Sequence, residues 1–546
     1  MVFMQVVFIL FILSANGGMN MKKRTKSWLI PTVIASLLFT GCAPASQENP
    51  EPSQELTKGE IVVAAVTEPD SLDIHKTSSI GEPTEHLYAT LFERDLNGEI
   101  VPGLVKDYKV ADGGKEITFE LKENAVFHSG KPINAEAVKK SFERFLEKSP
   151  FKTNAGSIEK IEVLGETTFK ITWSEPYAPF FSNATSAYLA PLDVSTLDAQ
   201  GEGFDKNASA AGRLQLTEVK RGDSVVYKPF EKADWGAKGT PGFSKVTFRF
   251  IPDDETRILE FKKGSVNVLL DVPFQYIEEL EKEPGVELER VSDYVMTYLG
   301  WNNKLPIFQD VKVRQAIALA VDREPIIQNT MRGAAKPVFG PLPEVVNGHS
   351  PAIEEKARQK YTQDKEKAKQ LLAEAGWSEK NGEGIVMKDG KPFSVEMWVQ
   401  NEPAMQRVAQ ILQHQLREIG IDVRLTVKES AAIIEQTPKG SHQMILWSYG
   451  WFDADILYFL LFGKGKSTRL HYEVDELDAL LQKGRVEMDP EKRFKIYEEA
   501  QEFLVEQSPW VPLFVRESIT ATRGLKNFKK HPISNRIIWQ DVEVTE

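Results

Sequence analysis

Between residues 393 and 427 the chain writes a strand, a helix and a second strand in one run, and no other stretch constrains its fold as strongly. Val395, Met397 and Val399 recur at every second position, the period of a strand with one buried face. Met405, Val408, Ile411, Leu412 and Ile419 then follow at helical spacing. Gly420 supplies the left-handed position that ends a helix, and Ile421, Val423, Leu425 and Val427 alternate again. The run has the length that a right-handed crossover between parallel strands needs.

The same reading extends along the chain. Ile117, Phe119 and Leu121, then Phe169, Ile171 and Trp173, then Val246, Phe248 and Phe250 each predict a strand. Asn134 begins a predicted helix whose apolar face carries Val138, Phe142, Phe145 and Leu146, and another helix is expected over 365–375, ended by Gly376. The fold class is α/β, and a chain of 546 residues exceeds what one compact core supports, so two or more lobes are expected.

Charge and chemistry-bearing residues exclude several functions. A net charge of -12, from 67 basic and 79 acidic side chains, argues against a nucleic-acid partner, which requires clustered Lys and Arg. None of the eight histidines stands three or four residues from another, and one cysteine cannot build a thiolate metal site. Neither a metal nor a cofactor is expected. No Gly-x-Ser-x-Gly elbow, P-loop or dinucleotide fingerprint occurs, so the chain is not expected to be an enzyme.

The N-terminal segment reads as an address. In residues 21–42, MKKRTKSWLIPTVIASLLFTGC, a basic head precedes an apolar run from Trp28 to Phe39 that is short for a membrane span. The pattern looks like a secretory signal over 21–41 ending in a lipobox, with Cys42 as the lipidated residue; Phe39 departs from the leucine preferred three positions earlier. Met21 is a natural start, so residues 1–20 are expected to be a start-site overcall. Residues 42–58, rich in Pro, Ser, Glu and Gln, form a flexible tether, so a membrane partner is expected through the lipid on Cys42 alone.

The stretch from Glu116 to Phe145, EITFELKENAVFHSGKPINAEAVKKSFERF, resembles the signature of the peptide/nickel-type (family 5) solute-binding proteins of ABC importers. Its parts are the strand Phe119–Leu121, Lys122-Glu123, Phe127, Ser129-Gly130 and the helix start Ala135-Glu136-Ala137-Val138. Further matches keep the family order: Glu68 to Asp73, Asp310 to Ala316, Gly340 to Pro343, Glu374 to Trp377 and Asp475 to Leu481. Each singly is mostly structural, Asp310 to Ala316 being a helix start and Glu374 to Trp377 a helix end; their order carries the resemblance.

The resemblance implies a two-lobed periplasmic-binding-protein-like fold with a hinge and an interlobe cleft. Lobe I is expected over 59–297 and 513–546, with an extra subdomain about 92–210, and lobe II over 298–512. The crossings are placed near Tyr294–Asn302 and Trp510–Arg516. It also implies ABC permease subunits as partners, a monomer, and a small-molecule or peptide ligand.

The most aromatic segment, 444–462, reads as a buried strand running into an apolar helix that includes Ile456, Leu457, Phe459 and Leu460. By resemblance Tyr449, Trp451 and Asp453 stand where the family's lobe II pocket loop lies, and rigid aromatic walls suit a ligand site. Asp453 or Asp455 is a candidate for the aspartate that holds a peptide's amino group, although the offset puts Gly450 at the usual position. Arg469 is a candidate for pairing with a ligand carboxylate, and Ser78, Ser79 and Glu82 are candidates from lobe I. The arginine that nickel-chelate binders carry after the strand end Tyr177-Ala178-Pro179-Phe180 falls on Tyr188, and their aromatic after the first long helix corresponds to Phe151. The leading expectation is an importer component carrying a short peptide or other small polar solute. A nickel chelate is the alternative within the family, and an exported hydrolase or a tethered sensor lies outside it.

Overall fold

A computed structural model describes residues 59–77, 79–233, 241–463 and 469–545, without the side chain of Glu202. The signal segment, the tether, Cys42 and Ser78 lie outside the described residues.

One mixed sheet of eleven strands runs through both lobes. Its strands are β1 (Glu60–Ala65), β2 (Leu214–Lys220), β3 (Ser224–Pro229), β4 (Lys245–Phe250), β5 (Val268–Leu269) and β6 (Val286–Trp301), followed by β7 (Ala335–Pro337), β8 (Ser394–Gln400), β9 (Asp422–Lys428), β10 (Met444–Gly450) and β11 (Trp510–Arg523). The spatial order is β9-β8-β10-β6-β11-β5-β1-β4-β3-β2, with β7 on β11. The two long strands β6 and β11 pair antiparallel and belong to both lobes, so the boundaries expected at 297/298 and 512/513 fall inside them. Their register shifts between Ser292 and Met296, a bulge that bends the shared ribbon where the lobes join.

The crossover at 393–427 forms as its periodicity requires. Strand β8 pairs parallel with β9, Val395 opposite Val423, and the connecting helix Pro403–Glu418 buries Met405, Val408, Leu412 and Leu416. Gly420 has φ +90°, which an L side chain rarely adopts.

Lobe II is covered on both faces because alternate residues of β6 and β10 point opposite ways. Leu299, Trp301 and Leu446 pack with the helices Val311–Ala320, Arg323–Met331 and Pro403–Glu418. Met296, Tyr298, Trp447 and Tyr449 pack on the other face with Ile456–Leu461, Asp475–Val486 and Pro490–Gln507. In that first helix Phe459 is 36% exposed while Ile456, Leu457 and Leu460 are buried, so the expectation of an inward Phe459 is corrected: it points away from the sheet.

Lobe I carries a separate four-stranded sheet, ordered 105–111, 116–121, 168–173 and 158–163, with the helix Ala135–Lys148 across it. Asn134 caps that helix by accepting a hydrogen bond from Ala137 N at 2.9 Å, and Asp310 caps Val311–Ala320 through Lys312 N at 2.9 Å. Both motifs that read as helix starts do that structural work.

Candidate binding cleft

Strand β10 ends where Gly450 pairs with Val295 of β6, and the chain leaves the sheet as Trp451, Phe452 and Asp453. This loop is fastened to residue 347, with Asn347 N donating to Phe452 O at 3.0 Å and Ala454 N to Asn347 O at 2.8 Å. The fastening turns the Phe452 ring onto Tyr294, centroid to centroid 4.0 Å. Trp451, Phe452 and Tyr294 are all half-buried, and they form an aromatic edge of lobe II at the junction of the lobes.

Lobe I answers with Phe151 and Tyr188, also half-buried, their rings 4.3 Å apart. Burial pushes the Tyr294 phenol up, and the charges of Asp293, of Glu85 and of Tyr188 push the same way, which places lobe I groups within electrostatic reach of the lobe II wall. Arg94, on the lobe I strand Phe92–Arg94, crosses the boundary. Its guanidinium reaches Phe452 O at 3.5 Å and lies 5.6 Å from the Phe452 ring, while Ser182 Oγ at 2.6 Å and Gly98 O at 3.1 Å hold it from lobe I. Further along the boundary Ala178 N donates to Arg485 O at 3.1 Å, and the Arg485 guanidinium lies 5.0 Å from the Tyr177 ring. The lobes therefore touch at two places along this boundary.

The other expected site residues have partners inside the protein. Asp453 is 1% exposed, and both carboxylate oxygens are held by Arg493, at 2.9 and 2.5 Å. Its Oδ1 also accepts from Asp455 N at 2.8 Å, so in this arrangement neither oxygen faces a solute's amino group. Asp455 accepts from Arg485 at 3.0 Å, yet burial, aided by the neighbouring Asp453 charge, pushes its carboxyl up to about 6. Tyr449 lies in the lobe II core, its hydroxyl donating to Pro341 O at 3.1 Å. Glu82 contacts His86 Nε2 at 2.6 Å, accepts from Ile537 N at 3.0 Å and lies 3.6 Å from Lys530 Nζ. Burial alone would raise its carboxyl, but the His86 charge and hydrogen bond bring it below the usual carboxylate range. Ser79 is tied locally, its carbonyl accepting from Thr77 Oγ1 at 2.7 Å. Arg469 is 5% exposed, with its guanidinium 5.1 Å from the Trp447 ring.

Of the residues singled out by sequence, Phe151 and Tyr188 come together, and Trp451 stands on the opposing edge. Tyr294, Phe452 and Arg94 were not chosen. Phe452 lay in the aromatic segment and Tyr294 at the first crossing, and both were legible as candidates; Arg94 carried no signal. Among the described residues no group of three His, Cys, Asp or Glu could hold a metal ion, and no helix is long and apolar enough to cross a membrane.

The family model "Bacterial extracellular solute-binding proteins, family 5 Middle" matches residues 99–469. The oligopeptide-binding protein AppA of Bacillus subtilis is 28% identical over 542 residues, covering 94% of this chain and 97% of that protein. Among solved structures, the binding protein AgaA of A. tumefaciens R10 with agropinic acid is 27% identical with a TM-score of 0.70, over 89% of this chain and 99% of that one. NikZ of Campylobacter jejuni with Ni(L-His) shares the fold at 23% identity and a TM-score of 0.71, over 88% of this chain and 98% of that one. With the two-lobed fold, the shared ribbon and a model matching most of its length, the chain belongs to the family 5 bacterial extracellular solute-binding proteins.

Proposed function

We propose that this protein captures a short peptide between its lobes and delivers it to the permease of an ABC importer, held at the outer face of the membrane by a lipid on Cys42. The observation that carries this reading is the pair of half-buried aromatic edges at the lobe junction, Phe151 and Tyr188 on one side and Trp451, Phe452 and Tyr294 on the other. Aromatic walls offer a flexible chain a large rigid apolar surface at little entropic cost. A solute that touches both walls binds the closed arrangement better than the open one, and that difference in affinity drives closure about the β6–β11 ribbon. Capture is reversible and makes no bonds, so the protein works as a binder, one chain to one cargo.

A peptide is preferred to a nickel chelate because the relative named for oligopeptides runs along 94% of the chain, whereas the nickel–histidine binder at 23% identity shares the fold alone. Melting the purified protein with pools of two- to five-residue peptides, and separately with nickel and L-histidine, tests the reading. A peptide at a hundredfold excess over its Kd stabilises the native state by about 2.7 kcal/mol. A rise with nickel–histidine and none with any peptide pool overturns the peptide assignment.

A further inference from the structure

The contact between the lobes beside Tyr177 is held in shape from each side separately. In lobe II, Met488 stands in the short link 487–489 between the helices Asp475–Val486 and Pro490–Gln507. Asp489 fixes that link by accepting from Glu491 N and Lys492 N, both at 3.1 Å. Three residues before Met488, Arg485 donates to Asp455 Oδ2 at 3.0 Å and lies 4.1 Å from the Tyr458 ring. In lobe I, the Tyr177 ring lies against Gly156, where a Cβ would come within 2.5 Å of it, and its hydroxyl accepts from Asn183 Nδ2 at 3.1 Å.

Met488 reaches out of its own lobe. Among the described residues it is the one lobe II side chain that packs with the apolar core of the lobe I subdomain. It fits because residue 114 is a glycine: a Cβ there would run into Met488 Cγ and stand 3.2 Å from Pro176 Cβ. Gly114, at φ +99°, lies in the turn between strands 105–111 and 116–121, so both its backbone and the space beside it call for glycine. Next to this socket Ala178, 8% exposed, donates its amide to Arg485 O at 3.1 Å, and the Arg485 guanidinium lies 5.0 Å from the Tyr177 ring. An apolar plug, a backbone hydrogen bond and a cation near a ring converge here, and all three join protein to protein. Because each side is already positioned by its own lobe, bringing them together loses little side-chain freedom.

We propose that Met488 and Arg485 form a latch that holds the lobes closed independently of the cargo's own contacts, so that closure depends on residues outside the aromatic walls as well as on the solute. A contact made only in the closed arrangement multiplies the closing equilibrium by its own factor. While the closed state is the minor one, the apparent affinity for any solute rises by that same factor, mainly through slower release. The inference needs only the two-lobed fold and holds whichever solute is carried.

Hydrogen exchange of the purified protein with no solute added, read by mass spectrometry with fragmentation to single amides, tests the latch. The Ala178 amide bonds across the lobe boundary, so it exchanges when the latch opens. Met488→Ala is expected to speed exchange at Ala178 about tenfold, the scale of a lost half-buried apolar contact, while the amides of the strand Thr168–Trp173 in the same subdomain keep their rates. Gly114→Ala should speed it in the otherwise unaltered protein and far less in Met488→Ala, where the side chain it collides with is gone. Should Gly114→Ala fail to fold, the comparison of Met488→Ala with the unaltered protein decides alone. Unchanged exchange at Ala178 in Met488→Ala shows that the plug holds nothing and overturns the latch. An equal rise through Thr168–Trp173 shows that Met488 merely supports the subdomain and overturns it as well.

Discussion

Replacing Asp453 by Ala is expected to weaken the fold of lobe II, because its carboxylate is buried at 1% exposure and gripped by the Arg493 guanidinium at 2.9 and 2.5 Å. Removing one member of such a pair leaves the other charged and desolvated, at a cost of about 3–5 kcal/mol. The loss also frees Asp455 N, which now donates to Asp453 Oδ1 at 2.8 Å. Arg493 retains Gly484 O at 3.0 Å, so part of its donor set survives, and the lower half of that range is expected. Replacing both partners, Asp453→Ala with Arg493→Met, removes the stranded charge and should cost less than the sum of the single changes by about 2 kcal/mol. Urea unfolding followed by tryptophan fluorescence reads this out, since Trp447, Trp451 and Trp510 all belong to lobe II; two lobes need not melt together, so the lobe II transition is fitted separately. If Asp453→Ala lies within about 1 kcal/mol of the unaltered protein, or the two changes simply add, the pair is not a buried structural link and the reasoning fails.

Trp451→Ala, at a half-buried ring proposed to face the cargo, should leave the unfolding midpoint nearly unchanged while raising the cargo Kd about tenfold in a titration, the scale of a truncated aromatic contact. Arg94→Ala removes the guanidinium that reaches Phe452 O across the boundary and should speed cargo release in a stopped-flow chase. Asn134→Ala deletes the cap on Ala137 N and should cost about 1 kcal/mol in the lobe I unfolding transition, with no change in binding. His442 is held down to about 4 by burial, below its usual 6.5, so its stabilising contribution is complete above pH 6.5 and lost as the pH falls from there towards 4. His442→Gln should therefore remove about 1.4 kcal/mol per pH unit from the slope of stability in that window; an unchanged slope would show the ring already charged.

The parts of the fold that sequence makes legible are those where one local period decides the outcome. The crossover at 393–427, the cap at Asn134 and the turn at Gly420 each follow from a few neighbouring residues, and each forms as expected. Contacts closed by residues far apart in the chain are not written locally. Asp453 reads as a pocket carboxylate until Arg493, forty positions on, is seen to take both oxygens. Tyr449 reads as a cleft wall, but it lies on the same face as Trp451 two residues deeper, inside β10 rather than beyond its end, where it is buried in the core and its hydroxyl donates to Pro341 O. Phe459 shows the converse, an apolar residue at the outward position of a helix whose neighbours satisfy the core. Arg94 had no local pattern at all, since its meaning comes from Phe452 on the opposite lobe.

The central claim is that a solute is held between the lobes, and native mass spectrometry of the protein purified from its own host without denaturation tests it most directly. The account predicts a peak one small solute heavier than the polypeptide, at one solute per chain, that fragments as a peptide and is lost in Trp451→Ala. A bare polypeptide mass under every growth condition, or an adduct indifferent to the lobe-junction aromatics, would contradict it.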